Sequence, residues 1–266
     1  MTARISDSGG PFAPVIYAPV IEAWGDAAEV ILVCEHASNA FPQPWGDLGL
    51  TAEQQRAHIA WDPGALGLMR GLAQRLGATC IHATVSRLIY DCNRAPHMPG
   101  AMPAVSELHS VPGNAALAPA ERAERMAAVY LPFHAALHCL IADSLARGKH
   151  PAIITIHSFT PVYFGQPRSV EFGVIHDADT RLAEAILAEA QAQTSLTSHL
   201  NAPYSAADDV THTLRLQATP YGLLNAMLEI RNDLIATPGA EEAMAAQLAP
   251  VIAAALARCH APAEAA

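Results

Sequence analysis

The chain has 266 residues, 52% hydrophobic and 15% charged, with a formal net charge of −10, the composition of a globular protein with enough chain to bury a sizeable core. That charge argues against nucleic acid or an anionic membrane as the main partner, because both demand concentrated Lys and Arg. An anionic small molecule would need a local basic pocket.

Five cysteines (Cys34, Cys80, Cys92, Cys139, Cys259) without C-x-x-C spacing favour neither a disulfide framework nor a thiolate zinc site. The first residues lack the apolar core of a signal peptide, and no apolar run approaches the ~20 residues of a membrane span. The expectation is a cytoplasmic protein. Residues 1–14, rich in Gly, Pro and Ser, read as a flexible lead-in. Residues 15–266 read as a single α/β domain, since no repeat or break in composition divides them.

A short apolar piece around Val15-Ile16-Tyr17 precedes the main strand, Val30 to Cys34, which runs straight into Glu35-His36-Ala37-Ser38-Asn39. In open α/β sheets sites form outside the carboxyl ends of strands, so this stretch is where chemistry is expected. Thr51-Ala52-Glu53-Gln54 reads as a helix start with Thr51 as N-cap. Asp62-Pro63-Gly64 opens a helix over Ala65 to Leu76, closed by Gly77. A strand from Thr79 to Val85 follows, and strand–helix–strand in that order indicates a parallel βαβ crossover.

Ser86-Arg87-Leu88-Ile89-Tyr90-Asp91-Cys92-Asn93-Arg94 concentrates two arginines after that strand. In an acidic protein this suits an anionic ligand, because guanidinium forks match planar carboxylates; an Arg87 to Asp91 pair is the structural alternative. Ala95 to Pro119 is a long aperiodic loop, which in a compact domain is functional or mobile. Helix resumes at Pro119 and runs toward Arg147, with Pro132 marking a kink or break. On it His134 and His138 stand four apart without the Glu of an H-E-x-x-H motif, so His134 is read as a pocket residue or one that supports the pocket from behind, and His138 as structural.

A third strand, Ala152 to Ile156, ends in His157-Ser158. Val170 to Ile175 is a further strand, Thr180 to Gln193 a helix, Leu224 to Ile230 a strand carrying Glu229, and Glu241 to Arg258 an amphipathic helix. His36 and His157, at the ends of separate apolar strands, can converge on one metal ion if those strands are near neighbours in a parallel sheet, and the ion then needs a third protein ligand and an open position. Asp62 is the first choice, with helix capping as its structural alternative; Asn39 and Glu35 stand behind it, Asn39 because asparagine is an uncommon zinc ligand and Glu35 because neighbours on a strand face opposite ways, which turns it from whatever His36 binds unless the strand has already ended. Glu229, in an apolar strand, would be desolvated and raised toward the range of a general base, or else paired with Arg231 at a sheet edge.

Taken together, Cys34 to Asn39, His58-Ile59-Ala60-Trp61-Asp62, Ser86-Arg87 through Asn93-Arg94-Ala95-Pro96, Phe133-His134, His157-Ser158 and Glu229 to Asp233 resemble the N-formylglutamate amidohydrolase family, from about Ile31 to Leu234. That family is similar to the zinc carboxypeptidases and to the aspartoacylase and succinylglutamate desuccinylase group. The resemblance implies a mostly parallel or mixed sheet flanked by helices, of the zinc-exopeptidase (phosphorylase/hydrolase-like) type. It implies one Zn2+ per chain, or another divalent metal, held by His36 and His157, with Glu229 as general base. It further implies Arg87 on the scissile carbonyl, Asn93 and Arg94 on a substrate carboxylate with Arg231 assisting, and a small anionic N-acyl amino acid, N-formyl-L-glutamate above all, as substrate. The related H-x-x-E ligand pair stands here as His36-Ala37-Ser38-Asn39, so the third ligand is assigned to Asp62. A zinc peptidase or peptidoglycan-type amidase is the alternative among enzymes, and a small-anion binding protein the alternative outside them.

Overall fold

The computed structural model describes residues 15–25 and 29–261; the lead-in over 1–14 lies outside the described residues. Among the described residues eleven strands and five α-helices follow in order: β1 (Val20–Ala23), β2 (Val30–Cys34), α1 (Ala65–Leu76), β3 (Thr79–His82), the hairpin β4 (Val105–Ser106) and β5 (His109–Ser110), α2 (Pro119–Arg125), α3 (Leu131–Ala146), β6 (Ala152–Phe159), the hairpin β7 (Val162–Tyr163) and β8 (Gln166–Pro167), β9 (Phe172–Ile175), α4 (Arg181–Gln193), β10 (Ser198–Leu200), β11 (Asn225–Arg231) and α5 (Pro238–His260).

Seven strands form one mixed sheet in the order β1-β3-β2-β6-β11-β9-β10. The inner four, β3, β2, β6 and β11, are mutually parallel. β1 joins antiparallel at one edge, and β9 runs antiparallel to β11 on the other side.

Both faces of the sheet are covered, so strands such as Val30–Cys34 are apolar throughout and fully buried. Side-chain alternation divides them between two cores. Val30, Leu32 and Cys34 pack with α1, α4 and α5, while Ile31 and Val33 pack with Phe133, Leu137 and Ile141 of α3 and with the segment before it. On β6 and β11 the same parity sends Ile154, Ile156, Leu228 and Ile230 to the first core and Ile153 and Met227 to the second. His157 and Glu229 therefore face the second side, next to each other in register.

The β2–α1–β3 crossover and the termini of α1 agree with the sequence reading, including Gly77 as C-cap. Three differences have local causes. β6 continues past Ile156 to Phe159 because β11 runs alongside it as far as Arg231, so His157 lies within a strand rather than after one. Pro132 does not break the helix. A π turn over Met126–Tyr130 widens the backbone ahead of it, with Leu131 N–H donating to Met126 O, and α3 starts with the proline in its first turn. At Thr51, the side chain accepts from Gln54 N–H and Gln54 reciprocates to Thr51 N–H, but the helix that follows spans only Gln54–Arg56.

The loop after Ala95 is ordered by a buried clamp: the Asn114 amide donates to Leu88 O (2.8 Å) and Pro103 O (3.0 Å) and its carbonyl accepts from Arg125 (2.7 Å). β10 and both hairpins carried no sequence periodicity, being two or three residues per strand. Two helical segments, Pro119–Ala146 and Pro238–His260, are long and apolar enough to cross a membrane, yet each packs one side against the sheet.

Candidate active site

β2 stops at Cys34, whose carbonyl accepts from Ala83 N–H (3.1 Å), and the chain turns through Glu35-His36. The His36 carbonyl in turn accepts from Asp62 N–H (2.9 Å), which fixes Asp62 beside the end of β2. Two residues on, Gly64 begins α1 at φ +80, where a Cβ would lie 2.3 Å from Ile235 O. Only glycine fits there. Asp62 makes no helix cap, so its carboxylate is available to the site.

Three buried donor atoms meet at this point. Asp62 Oδ2 lies 3.2 Å from His36 Nδ1 and 2.9 Å from His157 Nδ1, and the two Nδ1 atoms are 3.1 Å apart. Among the described residues, His36, Asp62 and His157 form a group able to hold a metal ion. The fit is close on two counts. Zinc bonds of ~2.0–2.1 Å set tetrahedral ligand atoms roughly 3.3 Å apart, near the observed edges. Each ring also turns its other nitrogen to a buried carboxylate, as metal-binding histidines do. His36 Nε2 is 2.8 Å from Asp91 Oδ1, and His157 Nε2 is 3.2 Å from Glu35 Oε2. With the protons held on Nε2, two lone pairs and a carboxylate oxygen face one another, an arrangement that a cation resolves.

The surrounding charges are tightly tied. Asp91 accepts from His36, from Arg87 (2.7 Å) and from Asn93 N–H (2.9 Å). Arg87 also lies 3.5 Å from Asp62 Oδ1. Burial alone would raise Asp62 and Asp91, but the histidines beside Asp62 and Arg87 and His36 beside Asp91 hold both well below the usual carboxylate range. Burial opposes the charged form of His157 too, and the carboxylates on either side of it, Glu35 and Asp62, outweigh burial and hold that ring up to about 10, a demand for positive charge that a cation at Nδ1 would meet in place of the ring's second proton. Glu229 behaves oppositely: desolvation pushes it up to about 8, with Oε2 free of any hydrogen bond. Burial drops His58 to about 4 in spite of Asp62 Oδ1 at 3.7 Å, so it is a neutral imidazole at pH 7.

A cavity of about 180 Å³ opens onto these groups, lined by His36, Asp62, His157, Glu229, Arg87 and Arg94 among others. That is below the ~300–1,000 Å³ of drug-sized sites and suits a small metabolite. Its rim comes from the hairpins: Ser106 and Glu107 from β4–β5, Tyr163 from β7–β8, with Tyr204 between. Arg168 stacks on Tyr163 (4.2 Å to the ring centroid) and donates to Tyr204 Oη (3.0 Å), stiffening that wall.

The structure thus brings together His36, Asp62, His157, Arg87, Arg94, Asn93 and Glu229. Asn93 lines the cavity, but its amide donates to Val210 O and accepts from Thr213 N–H (3.0 Å), so it braces the wall. Two residues lie elsewhere. His134 is buried outside the cavity lining, with Nε2 2.8 Å from Cys92 O and Nδ1 3.2 Å from Gln217, supporting the 91–94 segment from behind. Arg231 turns to Asp233 (2.8 Å), Glu171 (3.4 Å) and Arg168 O (3.2 Å). Asn39 donates to Gln55 O (3.0 Å) and is absent from the donor group.

Sequence reasoning gave no role to His58, Glu107, Tyr163 or Arg168. His58, four before Asp62, was the one with a spacing signal.

Comparison with known proteins follows the same direction. A family model described as N-formylglutamate amidohydrolase matches residues 28–236. Among solved structures, the Agrobacterium tumefaciens gene product Atu2144 is 50% identical, with a TM-score of 0.88 over 92% of this chain and 96% of that one. The N-formylglutamate amidohydrolase of Ralstonia eutropha JMP134 is 18% identical, with a TM-score of 0.64 over 92% of this chain and 97% of that one, a likeness of fold. No curated protein sequence matches.

Proposed function

The chain belongs to the N-formylglutamate amidohydrolase family, and from that premise we propose a zinc-dependent amidohydrolase that cleaves the N-acyl bond of an N-acyl amino acid, with N-formyl-L-glutamate, giving L-glutamate and formate, as its substrate. The observation that carries the reading is the triangle of His36 Nδ1, His157 Nδ1 and Asp62 Oδ2 opening onto the same cavity as the uncompensated carboxyl of Glu229. His36, Asp62 and His157 would hold the ion, which when bound supplies Lewis acidity toward the acyl carbonyl and lowers the pKa of water.

The chain's own groups supply the rest. Glu229, desolvated and raised toward neutrality, takes the proton of the attacking water and returns it to the departing amine. Arg87, kept charged and oriented by Asp91 and Asp62, donates to the acyl oxygen as negative charge develops there. Arg94, half-buried at the wall with one N–H on Asn93 O (2.9 Å), takes a substrate carboxylate, in the manner of guanidinium groups generally. His58, neutral, offers a hydrogen bond without adding charge. Residues 15–266 act as one unit in this scheme. The five unpaired thiols favour a reducing, cytoplasmic setting.

The test is turnover and metal content on one preparation. The expected result is about one zinc per chain and release of glutamate from N-formyl-L-glutamate that stops on chelation and returns with zinc. Glu229→Gln should keep the zinc and lose turnover by ~10²-fold or more. Full turnover in the chelated protein, or in the variant, would refute the scheme. Zinc without turnover on formyl, acetyl or succinyl amino acids would move the assignment to a peptidase or an anion-binding protein.

A further inference from the structure

Glu35 was a weak candidate ligand on the ground that neighbours on a strand face opposite ways. The strand ends one residue earlier, at Cys34, and in the turn Glu35 finds a different place. Its side chain is fully buried, and neither carboxylate oxygen has a hydrogen-bond partner. An ionised carboxylate held dry is costly unless an opposite charge or a donor compensates it. The polar groups placed to do so are His157 Nε2, 3.2 Å from Oε2 and off the axis of a good hydrogen bond, and the Thr213 hydroxyl. His157 Nε2 has no other partner.

We propose that Glu35 is the positioning residue of His157: it keeps the ring's proton on Nε2 and so leaves Nδ1 as the donor to the metal. This rests on the metal reading given above and concerns a residue that takes no ligand position itself. Its strength comes from the pairing with Asp91, which does the same for His36 from the opposite side (2.8 Å). It comes also from connectivity. The turn Cys34-Glu35-His36 contributes one ligand as His36, orients a second through Glu35, and fixes the third through the His36 carbonyl, which accepts from Asp62 N–H (2.9 Å). All three donors of the cluster are thereby set by two consecutive residues.

Partners of this kind typically change metal affinity by ~10–100-fold when removed. Glu35→Gln in the full chain should therefore bind zinc ~10–100-fold more weakly in chelator competition, with the fold intact by circular dichroism. Its cobalt-substituted form should show a shifted visible absorption band, and Glu35→Asp should recover most of the affinity. A second measurement needs no variant: nitrogen-15 correlation of the histidine rings in the zinc-loaded wild type should find His157 protonated at Nε2. Zinc affinity within about twofold of wild type in Glu35→Gln, or a His157 proton on Nδ1, would overturn the role of Glu35 alone. A wild-type chain that binds no zinc would overturn the metal reading and this inference with it.

Discussion

Replacing Gly173 by alanine should disturb the site from behind. Gly173 sits opposite Glu229 in the antiparallel β9–β11 register. A Cβ there would lie 1.9 Å from Ala202 O and 3.3 Å from Glu229 Cβ. Restoring an ordinary C···O contact of ~3.3 Å requires about 1.4 Å of movement. β9 is held by β11 on one side and β10 on the other, so the yielding part is the segment of Ala202 that leads to Tyr204 and the cavity wall.

Overpacking of this sort costs ~1–3 kcal/mol. With an unfolding entropy of ~2.1 cal/mol/K per residue over 266 residues, the midpoint should fall by roughly 2–5 °C. Misplacement of a site wall by ~1 Å can cost up to 10²-fold, so kcat/KM should fall by about 10- to 100-fold. Differential scanning fluorimetry and initial rates on the zinc-loaded protein read both. Gly239→Ala, at a helical glycine with open space around it, is the control and should leave both unchanged or raise the midpoint slightly. A Gly173→Ala protein with the midpoint and kcat/KM of wild type would refute the reasoning.

Three other outcomes are expected. Burial raises Glu229 to about 8 and its basic form is the one required, so kcat/KM should climb with pH along an acid limb that a bound divalent cation moves below that value; a flat profile across roughly pH 5–8 would contradict the assignment. His212, hydrogen-bonded to Tyr130 (2.9 Å) and lowered to about 4 by burial, binds its proton more readily unfolded than folded. Its contribution is intact above about pH 6.5 and is lost toward pH 4, by at most ~1.4 kcal/mol per pH unit. Urea midpoints should thus fall over that window in the wild type and less in His212→Gln; equal slopes would oppose this. Glu107 puts a negative charge on the rim, so Glu107→Gln should lower KM for a dianionic N-acylglutamate severalfold at low salt, with the difference shrinking as salt rises. An unchanged KM at low salt would remove Glu107 from the mouth.

The cluster was legible in part, because His36 comes just after an apolar strand and Asp62 just before a helix; the shared parity of His157 and Glu229 was not, since it exists only because β6 runs on past Ile156 beside β11. What escaped was set by tertiary closure. Glu35 was discounted by an alternation rule that stops applying when a strand ends. Arg231, two residues from Glu229, shares its parity on paper, yet the end of β11 offers it Asp233 and Glu171 instead of substrate. Asn93 looked free to bind a ligand until the 210–213 segment, more than a hundred residues later, took both ends of its amide. The rim residues left no trace, because strands of two residues have no period to read.

The two rim hairpins each form a sheet of their own, sharing no ladder with the seven-stranded one. They behave as interchangeable attachments to a fixed chassis. Lengthening or replacing either tip breaks no hydrogen bond between β2, β6 and β11, and doubling a flexible loop costs only ~0.6 kcal/mol. Related enzymes can therefore diverge in substrate by trading these tips, and an engineer can graft a new mouth while leaving the cluster of His36, Asp62 and His157 untouched.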